Sequence, residues 1–224
     1  MKLTKEQIQI IKEYINSKKI NYVDIQIEIL DHISSDVELI MSDTHIHFKS
    51  AFDQVKEKWK SNFEFRSSFL LGIFYEKPSI FLKRCKKIYK PYSLKGFASI
   101  FITVFVFSFM QKHLFQNSLF INKIFTNGSL GLSFVYFGLV LYWYFKIKKT
   151  HLKTVFSFLY NTQIFPNLII VGLMFNSIKN KSFSEFNTFE FVFLSALLIT
   201  LYQGYIFYTK HLKEVSDFKK YQLK

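Results

Sequence analysis

The sequence has few of the residues that mark secreted or nucleotide-binding proteins. It contains one cysteine, Cys85, so no disulfide can form within the chain, and a lone thiol fits a reducing cytoplasm. No glycine precedes Gly72 and no proline precedes Pro78, which excludes glycine-dependent phosphate cradles such as the P-loop from the N-terminal part. The first residues include no apolar run, and we therefore expect no secretory signal peptide.

Acidic residues are missing from a long part of the chain, since none lies between Glu76 and Glu185. The formal net charge is +14, and residues 83–224 hold 19 of the 30 basic groups but 4 of the 16 acidic ones. Long apolar runs occupy the same region. We therefore interpret the positive charge as a sign of membrane topology and expect no nucleic-acid partner.

Four apolar segments are long enough to cross a bilayer of ~30 Å, which needs roughly 20 helical residues. They are residues 96–115, 129–147, 154–178 and 189–208. A buried all-helical soluble core would rarely give four such runs in a row. Near the segment ends, 15 basic residues lie on one side and 4 on the other. By the positive-inside rule, we expect a multi-pass protein of the bacterial inner membrane with both termini cytoplasmic, including the basic tail 209–224.

The first 76 residues show the pattern of a small helical head. Thr4 and Gln7 have the spacing of a capping box at the start of a first helix. A second helix is expected from about Asn21, and a third has Phe52 and Trp59 on its apolar face. The predicted fold is therefore all-α, with a cytoplasmic three-helix head (1–76) followed by a four-helix transmembrane bundle.

Residues 77–95 join this head to the first span and are strongly basic. We expect a short amphipathic helix that lies in the inner membrane interface, with Cys85 as a small filler on its apolar side. A plain basic linker is the alternative. The basic residues would contact anionic lipid headgroups, at about 1 kcal/mol for each residue near the surface. They are Lys83, Arg84, Lys86, Lys87 and Lys90.

Two short motifs in the head resemble a known family. Glu28, Asp31 and His32 form an acidic run with a histidine on the second helix, and "SAF" at 50–52 opens the third. With this order of helices, residues 5–60 resemble the HAAS-type head, also called the permease prefix domain. The family has a glycine between helices 2 and 3, where this chain has "MSDTHIHF". The resemblance implies a head that precedes several spans in a regulatory or permease-related membrane protein.

The segment "EILDHISSDVELIMSDTHIH", residues 28–47, concentrates titratable groups. On a helix, Glu28 and His32 are one turn apart and are expected to pair. We interpret Glu28, Asp31, His32 and Ser35 as a surface for a protein partner. A pH-sensing role for His32 is an alternative. The other histidines lack the firm spacing of a zinc site, so we expect no metal and no cofactor.

A second polar group lies in the third span, where Asn161, Gln163, Pro166 and Asn167 occur together, with Gln203 in the fourth span. These side chains either line a polar path within a homo-oligomer or hydrogen-bond between helices, with Pro166 kinking its own helix. No motif combines a nucleophile with a base. The predicted function is non-enzymatic: a regulatory or assembly module whose head binds a partner. The alternative is a small transport or channel-forming subunit.

Overall fold

The computed structural model describes residues 2–113, 119–179 and 188–222, and the side chains of residues 2–109, 127–175 and 191–220. The ends of the first predicted span and of the basic tail lie outside these residues. The fold is all-α as predicted, and the described residues add one short β-hairpin that helical periodicity did not predict.

The described elements follow one another along the chain with short connections. They are α1 (Lys5–Ser17), α2 (Val23–Thr44), α3 (Phe48–Phe63), β1 (Phe65–Ser68), a 3-10 turn (Phe69–Leu71), β2 (Gly72–Pro78), α4 (Ser79–His113), α5 (Leu119–Lys149), α6 (Val155–Leu159), a π-helical segment (Tyr160–Ile164), α7 (Asn167–Lys179) and α8 (Thr188–Gln222). β1 and β2 pair antiparallel, with Phe65 opposite Pro78 and Ser68 opposite Gly72.

The chain divides into two compact units. The head unit consists of Met1–Lys86, His151–Val155 and His211–Lys224, and the span unit of Lys87–Thr150 and Phe156–Lys210. The head unit is therefore larger than the predicted head 1–76. It also includes the start of α4, the α5–α6 connection and the end of α8.

The core of the head unit is formed by α1, α2 and α3. The capping box at Thr4 and Gln7 is present, with both reciprocal hydrogen bonds. On α2 the core stripe is broad: the buried residues are Val23, Ile25, Ile29, Leu30, Ile33, Val37 and Met41. A helix that is buried on more than one side shows a wide apolar face, and α2 has this central position.

The end of α2 has a conformation that favours glycine. His45, which follows the helix, has φ 54° and ψ 28°, in the left-handed region. We expect His45→Gly to stabilise the head by about 1 kcal/mol, because glycine adopts this conformation without steric cost. The measurement is chemical unfolding of the purified protein. Thr44→Gly, at the last helical residue, is the matched control and should lower stability instead.

Four described helical segments are long and apolar enough to cross a membrane. They are Ser79–Phe109, Asn127–Lys149, Val155–Phe175 and Phe191–Lys220. The chain is a multi-pass membrane protein. The third segment is not one regular helix, since the π-helical segment and Pro166 separate α6 from α7. Proline has no amide hydrogen and obstructs the preceding turn, so the break at this position agrees with the predicted kink.

The region 77–95 differs from the expected separate interfacial helix. α4 begins at Ser79 and continues without interruption to His113, with Pro91 inside it. The apolar side chains Phe81, Leu82 and Cys85 are buried. The ring of Phe81 lies 4.1 Å from the ring of Tyr22, between centroids. The apolar side of this segment therefore packs within the head unit, where residues such as Tyr22 cover it.

Candidate functional site

Two hydrogen bonds join the start of α2 to the α5–α6 connection within the head unit. We call this set of contacts, made by Val23, Asp24, Lys153 and Val155, the clasp. The amide of Val23 donates to the carbonyl of Lys153 at 2.9 Å. The amide of Val155 donates to the Asp24 carboxylate oxygen Oδ2 at 2.8 Å. Because Val155 is the first residue of α6, Asp24 satisfies one of the amides that a helix start leaves without a partner.

The Asp24 carboxylate occupies an environment that disfavours its charge. Its second oxygen, Oδ1, is buried and has no hydrogen-bond partner among the described residues. Burial raises the pKa of Asp24 to about 6, and the hydrogen bond from Val155 opposes this increase only in part. Glu214 adds a further repulsive charge. With a pKa of about 6, Asp24 changes its protonation at mildly acidic pH.

The tail joins the same clasp through a buried polar pair. The Thr154 hydroxyl lies 2.9 Å from Nδ1 of His211, and both side chains are fully buried. Buried polar groups need such partners, since an unmade hydrogen bond costs about 1–3 kcal/mol. The clasp therefore connects three parts of the chain that are distant in sequence: α2, the α5–α6 connection and the start of the tail.

Helix α2 is strongly acidic, although the whole chain is basic. It has six Asp and Glu residues and neither Lys nor Arg. Carboxylates from α2 also border an open cavity of about 530 Å³ within the head unit, together with Arg84 and Glu214. Those on α2 are Asp24, Glu28 and Asp31. Their negative potential suits a positively charged group on a partner.

The four residues predicted to bind a partner have the spacing i, i+3, i+4 and i+7, so they share one side of α2. Glu28 and Asp31 border the cavity, and Asp31, His32 and Ser35 are exposed. The expected Glu28–His32 pair is replaced by another: Glu28 Oε2 lies 3.5 Å from Nε of Arg84. His32 stacks instead on Trp59, with ring centroids 6.4 Å apart. Arg84 and Trp59 come from other elements, so they offer contacts that residues of the same helix cannot.

The basic residues predicted to contact lipid are arranged as follows. Lys83, Lys86, Lys87 and Lys90 are exposed along α4. Arg84 is half-buried and is the exception, because its guanidinium faces Glu28 within the head unit. A lipid-contacting role thus fits the four lysines better than Arg84.

The polar group of the third span makes hydrogen bonds within its own segment, and Asn167 also hydrogen-bonds Tyr136 of α5. The Thr162 hydroxyl donates to the Phe158 carbonyl at 2.9 Å, and the Asn167 amide donates to the Gln163 carbonyl at 3.2 Å. Asn161 is exposed. Gln203 was expected to assist this group, but its amide donates to the Tyr92 carbonyl on α4 at 3.3 Å. These bonds favour a structural role, since they use the polar groups locally.

Tyr160 begins the π-helical segment and makes a buried polar contact with a neighbouring helix. Its hydroxyl donates to the Val140 carbonyl of α5 at 2.7 Å, and its side chain is fully buried. We expect Tyr160→Phe to lower stability by about 0.5–2 kcal/mol, because an interhelical hydrogen bond is lost. Thermal unfolding in detergent measures the effect. Tyr205→Phe, at an exposed position, should leave the midpoint unchanged.

In the part of the chain that the structure describes, no group of three or more His, Cys, Asp and Glu side chains is arranged to hold a metal ion. A comparison of the chain with models of protein families, with curated proteins and with solved structures finds no significant match.

Proposed function

We propose that this chain is a non-enzymatic regulatory or assembly module of the bacterial inner membrane, and that its cytoplasmic head binds a protein partner. The partner surface consists of Glu28, Asp31, His32 and Ser35 on α2. The observation that carries the proposal is the exposure of this acidic side next to an open cavity, on a helix without basic residues. The resemblance to the HAAS-type head supports the same assignment.

The chain segments that form the head unit support a cytoplasmic location for both termini. Its three segments come from the N-terminal region, the α5–α6 connection and the C-terminal region. A compact unit outside the bilayer lies on one side of it, so these segments share a side. They also adjoin the clusters of basic residues, which face the cytoplasm by the positive-inside rule.

The clasp provides a route by which a bound partner can affect the spans. Asp24 lies on α2, the same helix as the proposed surface, and it accepts the first amide of α6. α6 continues directly into the π-helical segment. A partner that shifts α2 changes this contact, and with it the start of the third span. The coupling needs no catalytic group, which fits a regulatory role.

Copurification from cells that produce the protein tests the proposal. We compare the full-length chain with the variant Glu28→Gln/Asp31→Asn/Ser35→Ala. The matched control, Glu13→Gln/Asp53→Asn, removes the same charge from exposed positions on α1 and α3. One protein should accompany the wild type and the control and be reduced at least about tenfold with the first variant, a loss of about 1.4 kcal/mol. Equal recovery with all three chains would contradict the assignment.

A further inference from the structure

The β-hairpin formed by β1 and β2, together with the turn between them, exposes an unusual number of apolar side chains. We call residues 65–78 the aromatic hairpin. Phe69 and Phe74 are 94% and 89% exposed. Three more apolar side chains are exposed, those of Phe65, Ile73 and Tyr75. Exposed apolar groups in such a cluster mark a contact with a partner or with a membrane.

The distribution of these groups favours lipid over a protein partner. Ile73, Phe74 and Tyr75 are consecutive residues of β2, and all three are exposed. The register of the hairpin shifts between Arg66 and Ser68, so these three residues lie opposite the irregular part of β1. Their side chains are accessible as one consecutive apolar run, which can insert together into a lipid interface.

The hairpin is joined directly to a membrane-crossing helix. β2 ends at Pro78 and α4 begins at Ser79. The hairpin is therefore adjacent in sequence to a helix that is long and apolar enough to cross a membrane.

The charge of this region fits an anionic lipid surface. Residues 65–90 include seven Lys and Arg but only one acidic residue, Glu76. The exposed lysines of α4 lie between the hairpin and Leu94 in sequence. Basic residues next to apolar aromatic groups bind anionic interfaces through both charge and apolar burial.

We propose that the aromatic hairpin inserts into the interface of an anionic phospholipid bilayer, with Phe69 and Phe74 in contact with the acyl chains. It anchors the head unit to the membrane surface next to α4. This role goes beyond the proposed partner binding and uses different residues, so either assignment can fail without the other.

Fluorescence quenching by spin-labelled lipid tests the insertion. The full-length protein carries an environment-sensitive thiol probe at Phe69→Cys or Phe74→Cys. Leu39→Cys is the matched control, an exposed apolar position on α2. The wild type, whose only thiol, Cys85, is buried, gives the background labelling. The variants are reconstituted in vesicles of phosphatidylcholine and phosphatidylglycerol with a nitroxide at a shallow acyl position.

We expect quenching at positions 69 and 74 to be at least about twofold stronger than at position 39. It should also be independent of the protein-to-lipid ratio. Quenching equal to that at position 39 would overturn the proposal. A blue shift that grows with protein density, without quenching, would also overturn it, because it would identify a second copy of the chain as the occupant. Circular dichroism of each variant confirms that the fold is retained.

Discussion

Replacing Phe81 by alanine is expected to lower the free energy of unfolding of the head by about 3–5 kcal/mol, because the substitution removes a fully buried ring from its core. The ring packs on Tyr22, and its removal leaves a cavity between α4 and the start of α2. The expected loss is a large fraction of the stability of a small unit.

Denaturant unfolding followed by the fluorescence of Trp59, in a chain with Trp143→Phe, measures this loss in the head. Phe74→Ala is the matched control, since the same ring is removed from an exposed position. In detergent the control should change stability by less than about 0.5 kcal/mol. If Phe81→Ala behaved like the control, the first turns of α4 would belong to the membrane interface, as the amphipathic sequence pattern alone suggests.

The second large effect is expected from Asp24→Asn, which should stabilise the head at pH 7. The carboxylate is ionised at this pH, although burial raises its pKa from 3.8 to about 6. A shift of this size corresponds to a cost of up to about 3 kcal/mol for the ionised form, at 1.36 kcal/mol for each pKa unit. Asparagine is neutral and keeps an oxygen that can accept the Val155 amide. We therefore expect a gain of about 1–3 kcal/mol.

The pH dependence of the wild type follows from the same shift. Because the folded state binds the Asp24 proton more tightly than the unfolded state, the contribution to stability is complete below pH 3.8 and is lost as the pH rises through about 6. The stability difference between Asp24→Asn and the wild type should therefore grow between these values and stay constant above them. Asp53→Asn, at an exposed position, is the control. A difference independent of pH would contradict the assigned environment of Asp24.

Local sequence signals predict much of this fold, because they report contacts between residues that are close along the chain. The capping box of Thr4 and Gln7, the helical stripes of the head and the long apolar runs are all of this kind. The break near Pro166 also follows from one residue's covalent structure. Each of these features depends on a helix and its nearest neighbours.

The contacts that the sequence does not predict join residues that are far apart along the chain. Asp24 and Val155 are separated by 131 positions, and Thr154 and His211 by 57. Neither pair has a motif, so a single sequence offers no signal that brings them together. The ion pair of Glu28 with Arg84 has the same character, since the i, i+4 rule considers only residues of one helix.

The sequence signals of the aromatic hairpin are weak for a different reason. The turn signal of Gly72, with φ 103°, stands between two strands of four and seven residues. They are short and lie between a helix and a long apolar segment, so the helical period dominates any window that includes them. A two-stranded hairpin is marginal alone, and its stability in this chain depends on its surroundings.

Site-specific photocrosslinking in producing cells tests the central claim, that the acidic side of α2 is the partner surface. A photoreactive amino acid is placed at Ser35, and in a second chain at Gln9 on α1, which is also exposed. We expect one discrete protein adduct from position 35 that is absent at position 9 and disappears when Glu28→Gln and Asp31→Asn are added. No adduct at position 35, or the same adduct at both positions, would contradict it.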